Sequence, residues 1–315
     1  MSSTVKNISI HYDAINEHNT FSNGDIISGR VILELSKEAK INSLSVKAKG
    51  KAEVRWTEGH GDKSETYYSK EKCFKLEQFI LKKRKGDGDG HQSMLMDECG
   101  ETYSTVISAG SHVYPFTFQI PQGNMPSSFK GIHGKVIYWL EAKLDRSMRL
   151  DSKTVSEFNF ASNADMSNPQ IMSPQIGTKS KKMKLFTSGN ASMNVRTERM
   201  GYMQGEAITI TADIENNTSR ALVTKFSVEQ KQSFFARPGR RVHTKHILKE
   251  EAAPVPSSTR QTITKVLKLP PDLATSINNC PIIKVEYSLK VYLDVPYATD
   301  PERTDYDEME VISSD

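Results

Sequence analysis

Cysteine is scarce in this 315-residue chain: Cys73, Cys99 and Cys280 are an odd number with no CxxC spacing. That argues against a disulfide framework and against a zinc site built on paired thiolates, and it fits a reduced compartment. Long hydrophobic runs are missing as well. The most apolar stretch, Val136 to Leu140, is far too short to span a bilayer about 30 Å thick. The opening residues, MSSTVKNISIHYDAINEH, have no apolar h-region behind a basic one, so the expectation is a protein kept inside the cell. The N-glycosylation triplets at Asn7, Asn190, Asn216 and Asn217 therefore carry no weight. Charge of one sign is missing too: 42 Lys plus Arg against 38 Asp plus Glu leaves a net charge of only +4. Nucleic acid is not expected as a partner, because such binding usually shows as a strong basic excess gathered on one face.

Catalytic signatures are equally absent. There is no GxSxG elbow, HExxH, Walker P-loop, or GxGxxG between a strand and a helix. His243 and His246 are three apart, which in an extended strand aims them at opposite faces and denies them a shared metal. The GDGDG run, Gly86 to Gly90, superficially suggests a calcium loop. After Asp87 and Asp89, however, the fifth position is His91 and the sixth lacks glycine, so a hairpin tip is the expectation. No catalytic, metal or cofactor site is expected, and an enzyme is the least favoured reading.

What the chain does have is a period of two. In KVIYWLEAKLD the residues Val136, Tyr138, Leu140, Ala142 and Leu144 fall on one face, as in a half-buried strand. Similar short runs recur at Val5 to Tyr12, Arg30 to Leu35, Leu44 to Ala48, Val54 to Trp56, Thr102 to Ile107, Tyr114 to Ile120, Ile208 to Ile214, Lys225 to Val228, Thr262 to Leu267 and Lys284 to Leu293. Gly, Asn, Asp and Pro separate most of them, and no convincing amphipathic helix appears. The expected class is an all-β sandwich.

An internal repeat converts length into a domain count. The segment Ile120 to Asp145 aligns without a gap on Leu269 to Asp294, and eight of 26 positions are identical, among them Tyr138 with Tyr287 and Leu140 with Leu289. Each half also opens on a similar strand start, FSNGDIISGRV from Phe21 and YMQGEAITITA from Tyr202, with Gly24-Asp25 and Gly205-Glu206 in the same place. Two immunoglobulin-like sandwich domains in tandem are expected, 1–165 and 183–311. A linker, 166–182, is placed in a Ser, Asn, Pro and Lys-rich stretch without alternation. Beyond about residue 296 the chain is mostly acidic, with room for one last short strand.

Three segments carry a family resemblance: GD-x-x-SG-x-V from Gly24 to Val31, PFTFQIP-x-x-x-x-PSSF-x-G-x-x-G-x-V-x-Y from Pro115 to Tyr138, and C-x-I-I-KVEYSLKVYLDVPYATDP from Cys280. With them the chain resembles the arrestin domain-containing proteins, or alpha-arrestins, of the arrestin domain-containing 3-like branch. The resemblance covers nearly the whole chain. It implies an amino-terminal and a carboxy-terminal arrestin β-sandwich domain in series. In function it implies a cytosolic, non-enzymatic adaptor, peripheral at the plasma membrane and endosomes, that binds membrane-protein cargo tails and regulates their endocytosis, endosomal sorting or ubiquitination.

Family members recruit HECT-type ubiquitin ligases through Pro-Pro-x-Tyr motifs. Here the only Pro-Pro, Pro270-Pro271, is followed by Asp272 and Leu273, and it reads as a strand-ending turn. Ligase contact is therefore expected to be indirect or through other arrestins. Two alternatives stay open: a regulatory competitor of longer alpha-arrestins, and a retromer-like structural scaffold. The family's thioredoxin disulfide would need a reactive cysteine in the second domain, where Cys280 is the sole candidate and reads as core. The first strand carries His11 and His18 but no Lys or Arg after Lys6, so no phosphate-sensing role is transferred to it. Cargo contact by the amino-terminal domain is expected through its concave face or a strand edge, by main-chain pairing.

Three basic clusters suit anionic lipid or acidic cargo: Lys82, Lys83, Arg84 and Lys85; Lys179, Lys181, Lys182 and Lys184; and Arg237, Arg240, Arg241 and Lys245. The last is preferred because Phe234 and Phe235 lie beside it, although one of these adjacent phenylalanines at least should point inward.

Overall fold

A computed structural model describes residues 4–59, 61–84, 94–97, 99–162, 168–183, 189–294 and 309–313. Lys85, the Gly86 to Gly90 run and Lys184 lie outside the described residues. The chain divides into two compact units, Met1–Asn163 with Asn279–Ile282, and Ala164–Asn278 with Ile283–Asp315.

Among the described residues twelve strands build the first unit: β1 Val5–Tyr12, β2 Thr20–Phe21, β3 Ile26–Leu35, β4 Ala39–Glu58, β5 Glu65–Arg84, β6 Met94–Met96, β7 Thr102–Tyr103, β8 Val106–Ile107, β9 Gly110–Gln119, β10 Phe129–Lys130, β11 Gly134–Arg146 and β12 Ser152–Phe160. They form a three-stranded sheet, β1-β3-β9, and a larger one along β2-β12-β11-β4-β5-β6-β7, in which β10 also pairs with β11 and β8 with β4. In the second unit are β13 Gln175–Met183, β14 Gly189–Thr197, β15 Ala207–Thr218, β16 Val223–Ala236, β17 Gly239–Glu251, β18 Thr259–Lys268, β19 Ile283–Asp294 and β20 Met309–Ser313. Their two four-stranded sheets run β13-β14-β15-β18 and β17-β16-β19-β20. The expected all-β architecture is what the chain adopts.

Alternation explains the core. Val136, Tyr138, Leu140, Ala142 and Leu144 of β11 are each at most 1% exposed. The runs Leu44 to Ala48 and Val54 to Trp56 are not two strands but parts of β4, joined through Gly50, which pairs opposite Tyr138. Glycine is needed there because a Cβ would overlap the Tyr138 ring. That ring also packs on Phe74 and Phe160, with centroids 5.8 and 4.7 Å away. In the second unit Val195, Ile210, Ile214, Phe226 and Val291 are part of one apolar cluster.

The repeat seen in sequence is also a repeat of hydrogen bonds. At the two strand starts, Ile120 N–H donates to Asp25 O and Leu269 N–H to Glu206 O, both at 2.8 Å. Asp25 Oδ2 accepts from Ser22 N–H and Glu206 Oε2 from Met203 N–H, both at 2.7 Å. Gly24 and Gly205 precede them with φ of +81° and +79°, a left-handed turn that favours glycine. Tyr138 and Tyr287, matched in the repeat, each donate a hydroxyl hydrogen bond of 2.6 Å back to a loop carbonyl, of Pro126 and Ala274. This resembles the corner tyrosine of immunoglobulin-like sandwiches.

The stretch 166–182, read above as a linker, holds most of β13. From Gln175 to Ser180 its side chains alternate between half-buried and exposed with few apolar residues, so only main-chain pairing with β14 identifies it as a strand. The room left for one last strand is filled by β20, paired with β19.

Candidate docking surface

The preferred basic cluster sits on the β16–β17 hairpin. Arg237 and Pro238 form the exposed turn, and β17 is an edge strand of its sheet, as β20 is at the other side. Of the two adjacent phenylalanines, Phe234 is 0% exposed and Phe235 is half-buried on the other face. Register then sorts the cations. Arg240 pairs with Phe235 and Arg241 with Phe234, so these neighbouring arginines point to opposite sides of the sheet. Arg240 stacks on the Phe235 ring at 5.2 Å and donates to Ser233 Oγ at 3.1 Å. Arg241 and Lys245 share the opposite side with His243, which pairs with Gln232. The structure thus brings Arg241 and Lys245 together, sets Arg240 behind them, and leaves Arg237 at the tip.

Sequence reading missed His243 as a member of that row, although the spacing Arg241, His243, Lys245 carries the signal of one strand face. It also missed the polar side chains beneath. Gln232 Nε2 donates to Gln230 Oε1 at 2.7 Å, Gln230 Nε2 donates to the Tyr287 hydroxyl, and that hydroxyl donates to Ala274 O. Burial pushes the Tyr287 phenol up to about 12, so it stays a donor. Gln232 Oε1 is buried without a partner among the described residues. This face therefore joins exposed cations to a buried amide chain with one acceptor in reserve.

On the other side of the sheet, charges are compensated. Glu229 lies 3.2 Å from both His246 Nδ1 and Lys290 Nζ, and Ser227 Oγ is 3.0 Å from the same His246 nitrogen. Lys225 pairs with Asp294 at 2.5 Å and Lys231 with Glu286 at 3.9 Å. His243 and His246 do face opposite ways, as their spacing requires, and no metal-binding group of side chains occurs among the described residues.

The other candidates are less organised. Lys82, Lys83 and Arg84 end β5 with exposed side chains, paired with Met96, Leu95 and Met94, and Lys82 Nζ sits 4.7 Å over the Phe79 ring. Lys179, Lys181 and Lys182 lie on β13. In the first unit β1 and β9 are both sheet edges, and Pro115 removes one N–H from β9. A recess of about 200 Å³ opens where β10 and β12 part along β11, bridged by the Lys130–Glu157 ion pair at 3.1 Å. It is smaller than the usual site for a drug-sized ligand. Cys280 is 5% exposed, and burial raises the Cys73 thiol, the opposite of what an activated thiolate needs. No helix among the described residues is long and apolar enough to cross a membrane.

Comparison with known proteins places this geometry. Residues 8–167 match "Arrestin (or S-antigen), N-terminal domain" and residues 187–305 match "Arrestin (or S-antigen), C-terminal domain". Arrestin domain-containing protein 4 of Mus musculus is 32% identical over 288 residues, which is 88% of this chain and 65% of that protein. The Homo sapiens protein of the same name is 30% identical over 282 residues, again 88% and 65%. Thioredoxin-interacting protein of Homo sapiens is 28% identical over 285 residues, 88% of this chain and 67% of that protein. The chain thus spans about two thirds of the length of these relatives. With both arrestin domains matched in order and the two sandwiches in place, the chain belongs to the arrestin domain-containing, or alpha-arrestin, family.

Proposed function

We propose that the protein is a non-catalytic adaptor in membrane-protein trafficking. It works in the cytoplasm, peripheral at the plasma membrane and endosomes. It binds the cytosolic tails of transmembrane cargo and regulates their endocytosis, endosomal sorting or ubiquitination. HECT-type ubiquitin ligases join indirectly or through other arrestins. What supports this reading is the match of both halves, in order, to the two arrestin domains. The surface suited to anionic tails or lipid is the β16–β17 hairpin, where Arg241, His243 and Lys245 stand exposed in one row on an edge strand, with Arg237 at the tip. An edge strand can receive an extended peptide by main-chain pairing, and two cations on one strand face, Arg241 and Lys245, favour one that carries acids on the facing side. Lys82, Lys83 and Arg84 are a second, weaker anionic contact. Proximity labelling in cells tests the reading. Transmembrane proteins and endosomal sorting factors should be enriched over a cytosolic control, and their absence would sink it.

A further inference from the structure

The turn joining β11 to β12 carries an apolar tip. Met148 is 99% exposed and Leu150 90%, and the next most exposed large apolar side chain among the described residues is Ile176 at 69%. Single exposed apolar residues are ordinary on a surface; two that are almost wholly exposed, two residues apart on one turn, are not. The tip is also held in place. Arg146 Nη2 donates to Leu150 O at 2.9 Å and to Ser152 Oγ at 3.3 Å, closing the loop across its base. Ser147 N–H donates to Lys40 O at 3.3 Å, fastening the turn to the start of β4. Met148 has φ of +54°, a left-handed conformation uncommon for any residue but glycine. A tip ordered in advance loses less entropy when it binds.

Cations surround it. Arg149 lies between the two apolar side chains, and Lys40 and Lys153 are exposed on the adjoining strands. Of the nearby acids, Asp151 pairs with Lys143 at 2.9 Å and Asp145 accepts from Asn42 Nδ2 at 3.1 Å, while Glu38 is exposed beyond the start of β4. We propose that this hairpin inserts Met148 and Leu150 into an anionic lipid leaflet, with Arg149 at the headgroups. A convex tip offers no groove for a peptide, and a protein partner would need a ready pocket for both side chains. A leaflet yields to them, and its phosphates match the flanking cations. The inference rests on the hairpin alone, so cargo capture can survive its failure and it can hold if no cargo is found.

The test uses the full chain with vesicles of phosphatidylcholine alone or with phosphatidylserine in roughly a 7:3 ratio. Co-sedimentation should favour the anionic vesicles. Met148→Ser with Leu150→Ser should weaken partition about tenfold or more, and Arg149→Gln about fivefold, with melting temperatures unchanged because these side chains are exposed. A polarity-sensitive dye on Leu150→Cys, in a Cys99→Ser background, should shift to the blue when anionic vesicles are added. Absence of binding, equal binding by the double serine variant, or an unshifted dye overturns the proposal. So does a loss confined to Arg149→Gln, which would mean surface attraction without insertion.

Discussion

Asn216 is 0% exposed, yet every polar atom of its side chain is engaged. Its Nδ2 donates to the carbonyls of Arg220, Val255 and Pro256 at 2.8, 3.0 and 3.0 Å, and its Oδ1 accepts from the Thr218 N–H at 3.1 Å and hydroxyl at 2.7 Å. One amide therefore ties the end of β15 to two loops. Asn216→Ala removes these hydrogen bonds at a fully buried position and takes from the buried Thr218 N–H its acceptor, whereas Val255 O keeps the N–H of Leu222, so a loss of about 2 kcal/mol is expected from urea unfolding of the full chain. A loss below about 1 kcal/mol would show that water replaces the amide. The sequence offered no sign of this role, since Asn216 stood there only as part of a glycosylation triplet. Two of its carbonyl partners lie about forty residues away and belong to main-chain atoms, which carry no residue signature. Tyr138 and Tyr287 were legible because the repeat marked both positions, although what their hydroxyls bond was not.

Legibility at the level of elements followed burial. β11 and β19 were visible because one face of each is packed and the alternation survives in the residues. β17 was not, because nearly every side chain from Arg240 to His246 is exposed and no apolar face remains to alternate. β5 was hidden for the same reason along most of its length. The strand starts were readable as Gly-Asp and Gly-Glu, and their chemistry yields a prediction. Glu206 is held below its ordinary value of 4.5, first by the hydrogen bond from Met203 N–H and then by Arg199 at 2.9 Å, against an opposing desolvation cost. A carboxyl depressed by folding stabilises the native state above its unfolded value and loses that contribution as pH falls through the folded one. Glu206→Gln should therefore cost about 1 kcal/mol at neutral pH, after allowance for solvent screening. It should also flatten the decline in stability below pH 4.5, measured as urea midpoints across a pH series. A parallel decline in wild type and variant would exclude Glu206 as its source.

At the scale of the whole molecule, a net charge of +4 on 315 residues is too slight to draw anions from a distance, so any attraction must come from local rows. The β17 row is local in this sense: Arg241, His243 and Lys245 share one exposed face of the strand. A labelled peptide of alternating Glu and Val tests both halves of the docking idea. Arg241→Glu with Lys245→Glu should weaken its binding about tenfold at roughly 0.15 M salt, with the difference shrinking as salt is raised. Arg240→Glu, on the far side and stacked on Phe235, should change it far less. N-methylating alternate residues of the peptide removes main-chain donors without touching its charge. Binding that survives this change would mean plain charge attraction, whereas binding that is lost would mean the peptide adds as a strand to β17. If the double reversal leaves affinity unchanged, the row is a solvated edge and the cargo surface lies elsewhere in the fold.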